Sequence, residues 1–189
     1  FPRRTESGHK GAVVRDDVET RVGAVAQRFV GVGTVSRVAP VLTGLINDTY
    51  FVDGDIASVV VQRLSPIFDP AIHRNIEAVT LRLADKGLST PRLLPTREGK
   101  LYESVDGEVW RCMSREPGES HSRPVDTNMA VSAGMLVGRF HRALDGLDHV
   151  FVARRKGVHD TPRHLETLRQ AVANHGDHRL HGEVSALAK

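Results

Sequence analysis

The residues of this chain best suited to handling a phosphate lie between Thr43 and Thr49. The run Thr43-Gly44-Leu45-Ile46-Asn47-Asp48-Thr49 contains a turn. Such a turn can offer backbone N–H groups and small hydroxyls to an anion, because Gly44 permits close approach of the backbone. The polar triplet Asn47-Asp48-Thr49 interrupts an apolar pattern and is not required by core packing. A plainer account uses the same residues. Gly44-Leu45 can be an ordinary hairpin turn, with Asn47 and Asp48 satisfying local backbone groups, and a lone Gly is a weaker signal than a multi-glycine loop. Elsewhere, His141 has no nucleophile beside it and reads as structural. His175, His178 and His181 have a spacing that can bind metal on a helix, but Gly176 falls inside the set and no carboxylate or Cys pattern completes it. Cys112 reads as a small buried apolar residue. Trp110 and Arg111 can stack or pair near a cleft, although a Trp on a strand more often belongs to the core.

These residues sit in a run of strands. Ile46, Tyr50 and Val52 share one parity of a β-branched and aromatic segment, and Ser58 to Leu64 is a nearly continuous apolar strand carrying Gln62 and Arg63. Asp53-Gly54-Asp55 between them is hairpin chemistry, with Gly54 expected to supply a positive φ. Val35 to Leu42 forms a preceding strand. Asp69-Pro70 opens a long helix to about Lys86, with Ile72, Ile76, Val79 and Leu83 on its buried face. Strands over Pro91 to Pro95, Leu101 to Val105 and Val109 to Met113 follow, joined by turns at Arg97-Glu98-Gly99 and Asp106-Gly107. Before the first strand, Asp16 or Asp17 can cap a helix carrying Val18, Val22, Val25 and Phe29. After Pro117-Gly118 the pattern turns helical. Asp126 caps one helix, Asp160 or Thr161 a second to about Val172, and Asp177 to Lys189 suggests a third. The fold class is α+β, with one antiparallel sheet of about five strands and one long helix, then helices. Residues 1–15 form a loose lead-in, 16–118 a sheet-rich lobe and 119–189 a helical part.

Bulk composition agrees with a globular protein. Hydrophobic residues make up 40% of 189 residues, enough for a sizeable core. With 26 basic against 23 acidic residues, no basic block and few aromatics, nucleic acid is not an expected partner. No apolar run approaches a membrane span, no signal-type segment opens the chain, and a single cysteine fits a reducing compartment, so a cytoplasmic protein is expected. The chain opens on Phe and stops at Lys189 inside a helical pattern, which suggests a fragment.

Three stretches together resemble the aminoglycoside phosphotransferase and choline kinase superfamily, whose fold is protein-kinase-like. VLTGLINDTYFVD resembles its first two strands and the nucleotide-covering turn, CMSREPGES its interlobe linker, and SAGMLVGRFHRALDGLD the helix beneath that linker. Within it, GLINDTY, VVVQRL and FHRAL most resemble the N-acetylhexosamine 1-kinase branch. The resemblance implies an ATP-dependent kinase acting on a hydroxyl of an amino sugar or related hexose. Nucleotide contacts would come from Gly44, Asn47, Asp48 and Thr49 of the turn, from Gln62 or Arg63 where the superfamily commonly carries a third-strand Lys, and from Met113, Ser114 and Glu116 at the linker. Arg63 can grip phosphate with two N–H groups, whereas Gln62 offers only neutral hydrogen bonds. Glu77 can pair with that cation or lie at the surface. The superfamily's His-x-Asp catalytic loop and Asp-rich magnesium segment do not occur here: His159-Asp160 lacks the intervening residue, and His149 precedes Val150-Phe151. The catalytic base and the magnesium ligands are therefore expected beyond Lys189, and these residues alone are expected not to turn over. A non-catalytic nucleotide-binding domain of the same fold is the alternative. The acceptor and the oligomeric state are not legible.

Overall fold

The computed structural model describes residues 8–153, 157–158 and 160–187. Two compact units divide it, 1–153 and 154–189. In the first, helix α1 (Gly8–Ala26) precedes strands β1 (Val35–Val41), β2 (Asp48–Gly54) and β3 (Ser58–Arg63). Helix α2 (Ile72–Asp85), strands β4 (Leu93–Leu94), β5 (Glu103–Val105) and β6 (Glu108–Ser114), and helix α3 (Thr127–Leu144) follow. The second unit holds α4 (Thr161–Asn174) and α5 (His181–Leu187). No described helix is long and apolar enough to cross a membrane.

All strand pairs are antiparallel, and the sheet runs β1-β2-β3-β6-β4, with β5 also on β6. Six strands thus stand where about five were expected. The hairpin logic holds for β5–β6, where Asp106 and Gly107 both take positive φ (52° and 79°). It does not hold at Arg97-Glu98-Gly99. That turn closes locally, with Gly99 N donating to Thr96 O at 2.9 Å, but β4 and β5 each pair with β6 and not with one another. Gly54 also differs from expectation. Its φ lies outside the left-handed region, and the residue must be glycine because a Cβ there would collide with the Val32 carbonyl.

The first core lies between α1 and one sheet face. Val22, Val25, Ala26 and Phe29 recur at helical spacing and bury against Val52, Val59, Val61, Trp110 and Cys112. Val18, expected on this face, is 40% exposed. Helix α1 already includes residues 8–15, upstream of the cap expected at Asp16 or Asp17. Of the lead-in expected over 1–15, residues 1–7 lie outside the described residues, as do His159 and the last two residues of the expected C-terminal helix. The second core is small: Leu83 and Leu88 pack on Ala143 with Val79 and Leu144 around them. Arg82 joins α2 to the end of α3, its Nε and Nη2 donating to the carbonyls of Ala143 (3.0 Å) and Asp145 (2.9 Å). Asp126 caps α3 by accepting from Met129 N at 2.7 Å, and Met135, Leu136, Val137 and Phe140 on that helix are exposed.

Candidate functional site

Period 2 along each strand divides the candidates between two faces. Cross-strand partners share a face, and the register pairs Asp48 with Arg63 and Thr49 with Gln62. It also pairs Gln62 with Arg111 and Val60 with Met113. The side chains of Val59, Val61, Trp110 and Cys112 lie in the α1 core, so Asp48 and Arg63 belong to that face and Thr49, Gln62, Arg111 and Met113 to the opposite one.

On the α1 face Arg63 is consumed. Its Nε donates to Asp48 Oδ2 at 2.8 Å, its Nη2 reaches the same carboxylate and its Nη1 reaches Glu108 Oε1. The hydrogen bond to Asp48, foremost, raises the guanidinium pKa above its ordinary value. Arg21 completes the cluster at 2.8 Å from Glu108 and stands over the Trp110 ring at 5.9 Å. A cation so neutralised has little field left for a phosphate.

The opposite face carries two rows. In the first, Gln62 Nε2 donates to Thr49 Oγ1 (2.9 Å), while Gln62 Oε1 accepts from Arg111 Nε (2.9 Å) and Nη2 (2.7 Å). Two residues along each strand, about 7 Å away, lies the second row: Phe51, Val60 and Met113, adjacent through the same register. Phe51 is 36% exposed with the Arg115 guanidinium 4.3 Å above its ring, and Val60 and Met113 are half-buried. Hydrogen-bonding groups thus stand beside an apolar platform on a face that α1 does not cover.

The remaining candidates are mostly engaged by the fold. In the turn after β1, a Cβ on Gly44 would stand 3.1 Å from the Asn47 carbonyl, so the close backbone approach that glycine allows is made within the turn. Asn47 Oδ1 accepts from Ser65 N at 2.9 Å and holds the exit of β3. Ile46 and Asn47 lie before β2, although the strand was expected to include Ile46. At the linker, Ser114 exchanges hydrogen bonds with Arg92, through Ser114 N to Arg92 O and Arg92 N to Ser114 Oγ, both at 2.9 Å. The Glu116 carboxylate accepts from Ser89 Oγ and from Ser114 Oγ. Glu77 is exposed and forms no ion pair among the described residues. Among those residues no three His, Cys, Asp or Glu side chains converge to hold a metal. His178 Nδ1 accepts from Leu180 N, and His181 Nε2 lies 3.3 Å from Ser185 Oγ. Burial pushes the Cys112 thiol up to about 12, so it is no nucleophile at neutral pH.

Two groups were not anticipated. For Arg111 the sequence suggests only pairing or stacking near a cleft; its link to Gln62 spans 49 positions and depends on strand order. His73, 1% exposed, is the most buried residue of α2. Its Nδ1–H donates to Pro70 O at 2.6 Å, its ring stacks on Tyr102 at 5.0 Å, and Nε2 is buried without a partner. Burial, with the Arg111 charge adding to it, lowers its pKa.

A family model described as the phosphotransferase enzyme family matches residues 37–188. The chain belongs to that family. The match takes in the β1–β2 turn, both rows of the sheet and the helices that follow. Among solved structures, this chain is similar to spectinomycin phosphotransferase APH(9)-Ia, crystallised with ADP and spectinomycin. Identity is 13% and the TM-score 0.55, over 80% of this chain and 45% of that one, so the likeness concerns the fold. That fold is α+β and kinase-like, as the sequence resemblance implied, and the chain spans less than half the length of the spectinomycin enzyme.

Proposed function

We propose that this chain contributes the nucleotide-covering lobe, residues 16–118, and the start of a helical lobe, 119–189, of an ATP-dependent kinase. The acceptor is a hydroxyl of an amino sugar or related hexose. One observation carries the nucleotide part of this reading. The polar row Thr49–Gln62–Arg111 lies about 7 Å from the apolar row Phe51–Val60–Met113, a separation suited to a molecule with an anionic end and a flat aromatic end. The base packs against Met113 and passes the 114–116 segment, and the phosphates lie toward Gln62 under the Gly44 turn. Asn47, Asp48 and Arg63 hold the strand ends that shape this surface.

Phosphoryl transfer asks the protein chiefly to position the triphosphate and offset its charge. Here Gln62 is oriented by Thr49, and exclusion of water falls to the Phe51–Met113 row. A metal site is not formed by the described residues, so no step is assigned to one. The test is ADP release by the full-length protein with ATP and a panel of hexoses and amino sugars, the product located by phosphorus NMR. Acceptor-dependent ADP release with a sugar phosphate as product is expected. Nucleotide binding without turnover on any acceptor would favour a non-catalytic binding domain, and no nucleotide binding at all would refute the reading.

A further inference from the structure

The third-strand position that resembles the superfamily's phosphate-binding lysine presents a neutral amide, Gln62, to the face opposite α1. The neighbouring cation on β3, Arg63, points to the other face and is held by two carboxylates. Where positive charge reaches the row beside the apolar platform is therefore a question the fold must answer from another strand.

We propose that Arg111 of β6, held in place by Gln62, is the cationic group that binds the phosphates of the nucleotide. This rests on the nucleotide reading above and names the residue that serves it. Arg111 and Gln62 are direct cross-strand partners, and the Gln62 amide is fixed at both ends: its NH₂ donates to Thr49 and its oxygen accepts two N–H groups of Arg111. A guanidinium has five N–H donors. Two are used on Gln62, and no other acceptor among the described residues takes the rest.

The charge itself is unbalanced. No described carboxylate pairs with Arg111; half-buried Arg82 on α2 also lacks one, but it spends its donors on the carbonyls of Ala143 and Asp145, whereas the bonds of Arg111 go only to the Gln62 amide oxygen. Arg111 is nonetheless half-buried, and burial alone is the cause that lowers its pKa. Nearby His73, its Nδ1–H turned to Pro70 O, has its pKa lowered by burial and by the Arg111 charge, so it adds no second cation and offers Arg111 no anion. Withdrawing a cation from water without an anion is costly. A structure that fixes the orientation of such a cation and leaves three N–H groups unclaimed is arranged for an anion that arrives from solution, and phosphate oxygens match the geometry of the guanidinium fork. Gln62 then acts as a positioning residue, and its neutrality leaves the Arg111 charge available to the ligand.

Calorimetric binding of adenosine, ADP and ATP to the full-length protein tests this, with Arg111→Gln, Arg111→Lys and Gln62→Glu beside the wild type. ATP should bind the wild type more tightly than adenosine. Arg111→Gln should reduce that ATP-to-adenosine ratio roughly tenfold to a hundredfold, the effect of losing charge-assisted hydrogen bonds, with adenosine affinity kept as evidence of an intact fold. Arg111→Lys should recover part of the ratio. Gln62→Glu should lower it as well, because the new carboxylate neutralises Arg111; this variant decides the matter should Arg111→Gln not fold. An Arg111→Gln or Gln62→Glu protein with the wild-type ratio would overturn the assignment while leaving the kinase reading intact. A wild type that binds neither adenosine nor ATP would remove both.

Discussion

Arg63→Ala separates the two faces of the sheet. Arg63 bridges Asp48 and Glu108, and the side chains involved are 41%, 50% and 29% exposed, so each pair is discounted to the range of surface ion pairs, about 0.2–1 kcal/mol. Two such pairs give roughly 0.5–2 kcal/mol. The lower part of that range is favoured, because Arg21 stays 2.8 Å from Glu108 and keeps that carboxylate compensated. For a folded unit of this size, 1 kcal/mol corresponds to about 2–4 °C in Tm. Thermal melts of wild type and Arg63→Ala should therefore differ by a few degrees in dilute buffer. The gap should narrow in 1 M NaCl, where the screening length falls to about 3 Å. Measured beside the melts, ATP affinity should change less than twofold, since Arg63 faces α1 and not the Gln62 row. An unchanged Tm together with a tenfold weaker ATP affinity would show that Arg63 reaches phosphate and that the division of faces is mistaken.

The other predictions concern residues that shape the same sheet. His73 is held neutral by burial: with its folded pKa below the ordinary 6.5 or so, the unfolded chain takes up a proton first, so the stability it contributes is complete above about pH 6.5 and is lost as pH falls toward the folded value. Chemical denaturation from pH 7.5 down to 5 should show this slope and a flatter one in His73→Gln; equal slopes would assign the pH dependence to other groups. Gly54→Ala should destabilise by about 1–3 kcal/mol, because the new methyl meets the Val32 backbone carbonyl, which yields less readily than a side chain; a urea midpoint equal to wild type would disprove that close approach.

Local chemistry was legible and pairing at a distance was not. The Asp106-Gly107 turn, the strand over Ser58 to Arg63 and the helix starting just after Asp69-Pro70 each follow from a few adjacent residues. Period 2 already put Gln62 and Arg63 on opposite faces, but which face α1 covers depends on how Val22, Val25 and Phe29 dock, and a strand's own pattern carries no information about that. Arg111 is the plainest case, since its place beside Gln62 follows from β6 inserting next to β3 and not β4 beside β5. On α2 the apolar residues Ile72, Ile76, Val79 and Leu83 suggested the buried face; Leu83 is buried and Val79 packs beside it, but the other two buried positions are the polar His73 and Thr80, while Ile72 and Ile76 are half-buried. The Tyr102 ring and the Pro70 carbonyl give His73 partners that hydrophobicity alone does not register.

The polar fastenings of α2 bear on how this unit can deform. Arg82 grips the chain where α3 ends, and Asn75 closes a two-way bond with Val152, donating to its carbonyl at 2.7 Å and accepting from its amide at 3.1 Å, with His149 Nε2 3.0 Å from the same Asn75 oxygen. Toward the segment that leads into β5, buried His73 stacks flat on half-buried Tyr102, with no hydrogen bond between the two rings. Rings slide over one another at smaller cost than directional bonds rotate or break. A shear of this unit at the His73–Tyr102 plane would break no side-chain hydrogen bond, whereas one between α2 and the 143–152 segment would break those of Asn75 and Arg82.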